Sequence, residues 1–152
     1  MWDTIIFDLG DERSGMIPGN KENSLTAGRK NVILFVDDSP VDRAYIEGVL
    51  SGHGFEVILA ESGEEGMKVL KSRIPDLILL DILLPKVSGI EVCKRMKADT
   101  TIAKVPIIFF TSIDTPKNLI NYAGYGAVDY LHKSIPPVIL VEQILSAINA
   151  SR

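Results

Sequence analysis

Five positions in this sequence carry side chains that together could perform metal and phosphate chemistry. Asp37 and Asp38 follow one apolar run, Asp81 follows another, and Thr111 and Lys133 come at the ends of two more. Carboxylates about 5 Å apart repel one another by about 3 kcal/mol per pair at an effective dielectric of about 20. Such a group shares protons or binds a divalent cation, and oxygen ligands with room for water favour magnesium.

The same residues suit the transfer of a phosphoryl group. A carboxylate such as Asp81 is a competent nucleophile toward phosphorus. Lys133 offers a positive charge to the transferring oxygens, and the Thr111 hydroxyl can hydrogen-bond one of them. The alternative is that Asp81 only opens a turn, which is common for aspartate. Polar groups at four strand ends favour the chemical interpretation over this one.

Short apolar runs alternate with helical patterns from Asn31 onward, and this alternation defines the elements that must position the polar groups. Ser39 suits the N-cap of the first helix and Pro40 its first helical position. The fourth helical pattern, around PKNLINYAG, is the weakest. The sequence predicts five strands, over residues 32–36, 56–60, 76–80, 105–110 and 127–131, with a helix after each.

This order of elements predicts an α/β fold built on a doubly wound, five-stranded parallel sheet. Near-continuous apolar strands that alternate with helices imply a parallel sheet covered on both faces. Ligands of such sheets bind beyond the carboxyl ends of the strands. We therefore expect the polar groups at the strand ends to converge at one edge.

Residues 1–30 do not continue the pattern. They are rich in Gly, Ser, Asn and charged residues, which predicts a flexible extension or linker, and residues 31–152 are the expected domain. A second hypothesis concerns the segment TIIFDLGDE, which resembles the opening motif of haloacid-dehalogenase-type phosphatases ending on Asp8. That family needs a second carboxylate two residues later, where this chain has Gly10.

Length and composition exclude several classes of protein. The 152 residues suit one domain of ordinary size. A net charge of −4 argues against a nucleic-acid partner, and the single cysteine excludes an internal disulfide. No apolar run approaches the length that spans a membrane, so no membrane partner is expected and a cytoplasmic location is the default.

From Asn31 to about Ala150 the chain resembles the receiver domain of bacterial two-component response regulators, in particular the stand-alone, chemotaxis-regulator type. The resemblance rests on VDDS, on LLDILLPKVSG, which fits the family signature D-x-x-(M/L)-P-x-x-x-G, on FFTS and on GAVDYLHK. Thr111 follows Asp81 by 30 residues and Lys133 follows it by 52, as in the family. The resemblance implies a flavodoxin-like receiver fold with strand order 2-1-3-4-5.

The resemblance also implies roles for the site residues. Asp81 would accept a phosphoryl group from a sensor histidine kinase or phosphotransfer protein, assisted by Thr111 and Lys133. Asp38, Asp81 and the backbone carbonyl of Leu83 would bind Mg²⁺ directly, and Asp37 would bind it through water. No turnover of an external substrate is expected, so the chain would not be an enzyme in that sense.

The output implied by the resemblance is a switch. Thr111 and Tyr130 would be the switch pair, with Tyr130 turning inward on phosphorylation. They would alter a surface of the fourth helix, fifth strand and last helix that a downstream protein reads. The chain ends shortly after the last helix, and Glu142 is the only charged residue within that helix. We therefore expect a stand-alone, monomeric receiver and no DNA-binding dimer.

The sequence departs from the family at the residue after Lys133, where Ser134 replaces the usual proline. The Lys133–Ser134 peptide should then be trans, because a cis bond before a non-proline residue costs about 2.5–4 kcal/mol. The direction of the Lys133 side chain is left open, as is the alternative of a pseudo-receiver that acts as a scaffold without phosphorylation.

Leu83 and Ile113 would border the path of the hydrolytic water, and their apolar side chains predict slow self-dephosphorylation.

Overall fold

The structure is a computed structural model that describes residues 29–152, of which Asn31–Arg152 form one compact unit. Residues 1–28 lie outside the described part of the chain. This range includes most of the linker predicted over residues 1–30 and Asp8, on which the phosphatase hypothesis rests. No helix among residues 29–152 is long and apolar enough to cross a membrane.

A five-stranded parallel sheet in the order β2-β1-β3-β4-β5 forms the centre of the fold, which confirms the predicted fold class. β4 begins two residues later than predicted, after Pro106, which has no N–H to donate to a ladder. It extends to Thr111, so this residue lies in the strand. The strands are β1 (Val32–Val36), β2 (Glu56–Ala60), β3 (Leu77–Leu80), β4 (Ile107–Thr111) and β5 (Asp129–His132).

Four α-helices cover the sheet: α1 (Pro40–Gly52), α2 (Gly63–Ser72), α3 (Gly89–Ala98) and α4 (Pro137–Ala150). The first three each begin after a serine whose hydroxyl accepts a backbone N–H of the first turn. As predicted, Ser39 caps α1, accepting the N–H of Asp42 at 3.2 Å, and Pro40 takes the first helical position. These caps fix where each helix starts beside the carboxyl edge of the sheet.

The prediction of a helix around PKNLINYAG was wrong. The segment forms two single turns of 3-10 helix, Lys117–Leu119 and Ala123–Tyr125. Asn121 accepts the N–H of Gly124 through its side chain at 3.2 Å, and Gly126 adopts a left-handed φ of 100°. A side chain that competes for backbone donors and a left-handed residue both interrupt an α-helix. Residues 112–128, here called the connecting segment, therefore link β4 to β5 without an α-helix.

Two apolar cores lie on opposite faces of the sheet because alternate residues of a strand point to opposite sides. One core contains Leu34, Ile78 and Phe109 from the strands and Met96 from α3. The other contains Phe35, Leu79 and Ile108, and it packs against α1 and α4. Strand residues buried on both faces hold the sheet ends in fixed positions, which is what a site at this edge requires.

Candidate functional site

Three carboxylates meet at the carboxyl edge of the sheet, as the sequence predicted. Oxygens of Asp37, Asp38 and Asp81 all lie within 4.8 Å of one another. Asp37 is fully buried and Asp81 is 4% exposed, whereas Asp38 is exposed to solvent. The cluster thus has a buried side, at Asp37 and Asp81, and a solvent-exposed side, at Asp38.

The register of the central strands brings these residues together. Val36 pairs with Leu80, so the residues that follow them, Asp37 and Asp81, leave neighbouring strands at the same level. The N–H of Asp81 donates to the carbonyl of Val36 at 3.0 Å, and the N–H of Asp37 donates to that of Ala60 at 3.0 Å. Both backbones are thereby fixed by the sheet itself.

Backbone donors also orient the two buried carboxylates. The Ser39 N–H donates to Oδ1 of Asp37 at 2.9 Å, and the Leu83 N–H donates to Oδ1 of Asp81 at 3.2 Å. Burial raises the pKa of Asp37 above its usual value, while its hydrogen bonds with Lys133 and Ser39 partly offset that rise. In both residues the second oxygen, Oδ2, is left for a cation.

Lys133 supplies that cation, and the structure answers the open question about its direction. Its Nζ donates to Oδ2 of Asp37 at 2.5 Å, of Asp42 at 2.7 Å and of Asp81 at 3.0 Å. Burial opposes the charge of the ammonium, but these three hydrogen bonds outweigh burial and raise the pKa of Lys133 above its usual range. Lys133 therefore points into the carboxylate cluster and is positively charged at neutral pH.

The trans peptide predicted between Lys133 and Ser134 is confirmed, because the described chain contains no cis peptide bond. Ser134 also makes contacts that proline cannot make. Its N–H donates to Nδ1 of His132 at 3.1 Å, and its hydroxyl lies 2.7 Å from the same nitrogen. Nε2 of His132 lies 3.0 Å from Asp114 at the start of the connecting segment. The His132 ring thus bonds Ser134 on one side and lies close to Asp114 on the other, without a hydrogen bond from Nε2 to that carboxylate.

A close backbone contact explains the glycine at the end of the Asp81–Gly89 loop. A Cβ on Gly89 would lie 2.0 Å from the carbonyl oxygen of Asp81, and the Gly89 N–H donates to the carbonyl of Ile82 at 2.9 Å. Any side chain at this position would push against the residue that carries the central carboxylate. Gly89 therefore helps to fix the position of Asp81.

Thr111 and Tyr130 lie on the neighbouring strands β4 and β5, where the register pairs Tyr130 with Phe109 and Thr111 with His132. Thr111 is fully buried, and its hydroxyl accepts the N–H of Ile113 at 3.4 Å. Tyr130 is 4% exposed and already faces inward, where its hydroxyl donates to the carbonyl of Ile113 at 3.3 Å. Both side chains therefore contact the first residues of the connecting segment.

Sequence reasoning missed Asp42, the third carboxylate that binds Lys133. It lies in the first turn of α1, and its side chain is 37% exposed. The signal that could have identified it is an acid in the first turn of the helix, four residues after the acidic pair Asp37–Asp38. Its neighbour Arg43 donates to the backbone carbonyl of Asp37 at 2.7 Å, which ties the same turn to the site.

The donor set fits a hard divalent cation. Every candidate ligand is an oxygen, and among residues 29–152 the only group of three or more possible metal-binding side chains is Asp37, Asp38 and Asp81. Magnesium retains water when few protein carboxylates bind it, and the exposed side at Asp38 leaves room for water. An open cleft of about 480 Å³ runs from Asp38 past Glu61 and Lys86.

Comparison with protein families agrees with this geometry. The model of the response regulator receiver domain matches residues 33–145. Protein PilH of Pseudomonas aeruginosa is 32% identical over 118 residues, a match that spans 78% of this chain and 94% of PilH. Several transcriptional regulators also match, and the chain spans about half of their length. One is the phosphate regulon transcriptional regulatory protein PhoB of Pseudomonas aeruginosa, which is 39% identical over 112 residues, 49% of its length.

Solved structures resemble the whole described domain. A response regulator from Chloroflexus aurantiacus, described as putative, superposes with a TM-score of 0.75 at 32% identity, covering 80% of this chain and 99% of that one. The receiver domain of a sensor histidine kinase from Pseudomonas aeruginosa superposes with a TM-score of 0.72 at 28% identity, over 80% and 99% of the two chains. That crystal structure holds a magnesium ion in its active-site cleft.

Proposed function

This chain belongs to the response regulator receiver family, and on that premise we propose that it accepts a phosphoryl group on Asp81 from a sensor histidine kinase or a phosphotransfer protein. One observation carries the proposal. The Asp81 carboxylate is held between the backbone N–H of Leu83 on one oxygen and the Lys133 ammonium on the other. A nucleophile that is oriented in this way needs no rearrangement of its own backbone to react.

The proposed reaction is a transfer between two protein side chains. An oxygen of the Asp81 carboxylate forms a bond to phosphorus while the bond from phosphorus to the donor's imidazole nitrogen breaks. The electron pair of that bond stays on the imidazole, which takes a proton from water, and Asp81 becomes an acyl phosphate. The same carboxylate would later be regenerated by attack of water on phosphorus.

Mg²⁺, when bound, would neutralise charge on the phosphoryl oxygens. Asp38, Asp81 and the backbone carbonyl of Leu83 would hold it, with Asp37 acting through water. Lys133 would then donate to a phosphoryl oxygen, which its positive charge and its 3.0 Å contact with Asp81 support. The Thr111 hydroxyl would bond a second oxygen.

The proposed output is a change in a surface that a downstream protein binds. A new dianion on Asp81 would draw the Thr111 hydroxyl away from the Ile113 N–H, and Tyr130, which bonds the Ile113 carbonyl, would respond. The surface proposed from sequence needs one correction, because the connecting segment takes the place of a fourth helix. It would consist of the connecting segment, β5 and α4, with Leu119 (70% exposed) and Val128 (50% exposed) on it.

Receiver domains are signalling domains, and we propose no turnover of an external substrate for this one. A monomeric state and a cytoplasmic location stay predictions from the sequence. A size-exclusion experiment with light scattering, with and without beryllofluoride, tests the first. A stable dimer that forms only with beryllofluoride would overturn it.

The test of the proposed function is intact-mass spectrometry after incubation with acetyl phosphate, with and without Mg²⁺. We expect one phosphoryl adduct on the wild type only when Mg²⁺ is present, and none on Asp81→Asn. Asp99→Asn is the matched control, since this aspartate is exposed and follows α3. It should be labelled like the wild type.

A wild type that remains unlabelled with Mg²⁺, while circular dichroism shows an intact fold, would refute phosphorylation and leave the pseudo-receiver scaffold. Labelling of Asp81→Asn would show that another residue accepts the group. Equal labelling without Mg²⁺ would refute the role of the metal.

A further inference from the structure

Asp42 occupies the mouth of the site and takes a hydrogen bond from the residue that the phosphoryl group would need. The three N–H donors of the Lys133 ammonium are directed to three carboxylates, those of Asp37, Asp42 and Asp81. An ammonium has no fourth donor. While Asp81 is still a carboxylate, an incoming phosphoryl oxygen can therefore bond Lys133 only after one of these three carboxylates gives way.

The burial of the three partners indicates which one gives way. The side chain of Asp37 is fully buried and that of Asp81 is 5% exposed, but that of Asp42 is 37% exposed. A carboxylate released inside the protein loses its hydrogen bond without gaining water, which is costly. Asp42 can be rehydrated where it stands, so its release costs least.

The backbone that carries Asp42 is fixed beside the site. Its backbone N–H is bonded to the Ser39 hydroxyl at 3.2 Å, which fixes it in the first turn of α1. A negative charge is also favoured there by the helix dipole. Because Asp42 and Asp81 bond the same nitrogen, at 2.7 and 3.0 Å, a phosphoryl group on Asp81 would carry its negative charge close to that of Asp42.

We propose that Asp42 is a positioning residue that opposes phosphorylation: it holds Lys133 in the unphosphorylated site and competes with the phosphoryl group for the ammonium. The inference rests on the proposed function of Asp81 and adds a residue that sets how tightly the site holds its phosphoryl group. Asp42 then disfavours small anionic phosphoryl donors, because its negative charge repels them and they make no other contact with the protein that offsets this repulsion.

The test compares the wild type with Asp42→Asn, which keeps the size and an acceptor oxygen but removes the charge. Glu47→Gln is the matched control, because Glu47 is an exposed acid on the same helix. For each protein, the dissociation constant of beryllofluoride is measured by titration calorimetry with saturating Mg²⁺. We expect Asp42→Asn to bind beryllofluoride about five- to tenfold more tightly than both other proteins.

A second readout separates competition for Lys133 from a general change in structure. The rate of phosphorylation by acetyl phosphate is measured against donor concentration at low and high salt. Asp42→Asn should lower the half-saturating donor concentration about fivefold, and this advantage should shrink at high salt, because charge screening weakens repulsion between exposed groups. The maximal rate should change less than the half-saturating concentration.

The outcomes are distinguishable. Equal affinity for beryllofluoride in Asp42→Asn and Glu47→Gln would overturn the inference while leaving the proposed function intact. Weaker binding in Asp42→Asn would also overturn it, since it would make Asp42 a supporting partner of Lys133. A wild type that neither binds beryllofluoride nor reacts with acetyl phosphate would refute the proposed function and this inference with it.

Discussion

Replacing Lys133 with methionine removes the ammonium group that three carboxylates share, while it keeps much of the length and apolar character of the side chain. Asp37, Asp42 and Asp81 would then face one another without the cation that now bonds an oxygen of each. Removal of one partner from a buried ion pair costs about 3–5 kcal/mol. Asp42 is partly hydrated, so we expect a loss near the lower end, about 3 kcal/mol.

The loss should be measurable and reversible by metal. For a domain of this size a loss of about 3 kcal/mol lowers Tm by about 12 °C. Mg²⁺ can replace the missing charge. A Mg²⁺ concentration of about one hundred times the dissociation constant raises the free energy of unfolding by about 2.7 kcal/mol. We therefore expect Mg²⁺ to stabilise Lys133→Met more than the wild type, in which the ammonium competes for the same oxygens.

Thermal and urea unfolding at pH 7, followed by circular dichroism with and without MgCl₂, are the assays. Lys104→Met is the control, because Lys104 is exposed on the loop before β4. Two results would refute the reasoning. One is a loss for Lys133→Met no larger than for Lys104→Met, and the other is an equal gain from Mg²⁺ in the wild type and in Lys133→Met.

Three further predictions concern the same site. Gly89→Ala should lose about 3 kcal/mol of stability, because its Cβ would meet backbone. Gly48→Ala, where a Cβ meets nothing within 4 Å, should gain up to about 1 kcal/mol; equal denaturation midpoints for the two would contradict this. The raised pKa of Lys133 predicts that its contribution to stability is complete below pH 10.5 and is lost as the pH rises toward the folded-state value. Between pH 10 and 12 the unfolding midpoint of the wild type should therefore approach that of Lys133→Met, and a constant difference would argue against this. Finally, the apolar side chains of Leu83 (55% exposed) and Ile113 predict slow hydrolysis of the phosphoryl group. A Leu83→Asn, Ile113→Glu double variant should shorten the phosphoryl half-life about tenfold, less than the roughly hundredfold or more that an optimally positioned acid or base contributes, and an unchanged half-life would contradict the role of these positions.

Several features of the site could be predicted because they depend on short stretches of sequence. Apolar runs of four or five residues identified the strands, and the residue after each run had to lie at the carboxyl edge of a parallel sheet. That rule alone brought Asp37, Asp38 and Asp81 together. Ser39 followed by Pro40 identified the start of α1, because capping depends on neighbouring residues only.

The connecting segment shows where local reasoning failed. The sequence Lys117–Tyr125 has helical spacing of apolar residues, but helix formation there competes with several non-helical contacts. Lys117 pairs with Asp129 on β5, and the backbone reverses at Gly126, where Lys97 of α3 leaves no room for a side chain. Asn121 and Gly126 interrupt the helix locally, but the contacts with Asp129 and Lys97 come from other elements, so the periodicity of the segment could not report them.

The sequence by itself determined the fold class, the strands and the carboxylates of the site, because burial patterns and strand ends are properties of neighbouring residues. The tertiary structure decided where the Lys133 ammonium points and that Asp42 shares it. Lys133 is separated along the chain from Asp37 by 96 positions and from Asp42 by 91. The tertiary structure also decided that Tyr130 faces inward, because its ring lies in the apolar core and its hydroxyl bonds the Ile113 carbonyl of the connecting segment. Long-range electrostatics and packing depend on distances in space, and a linear pattern does not contain them.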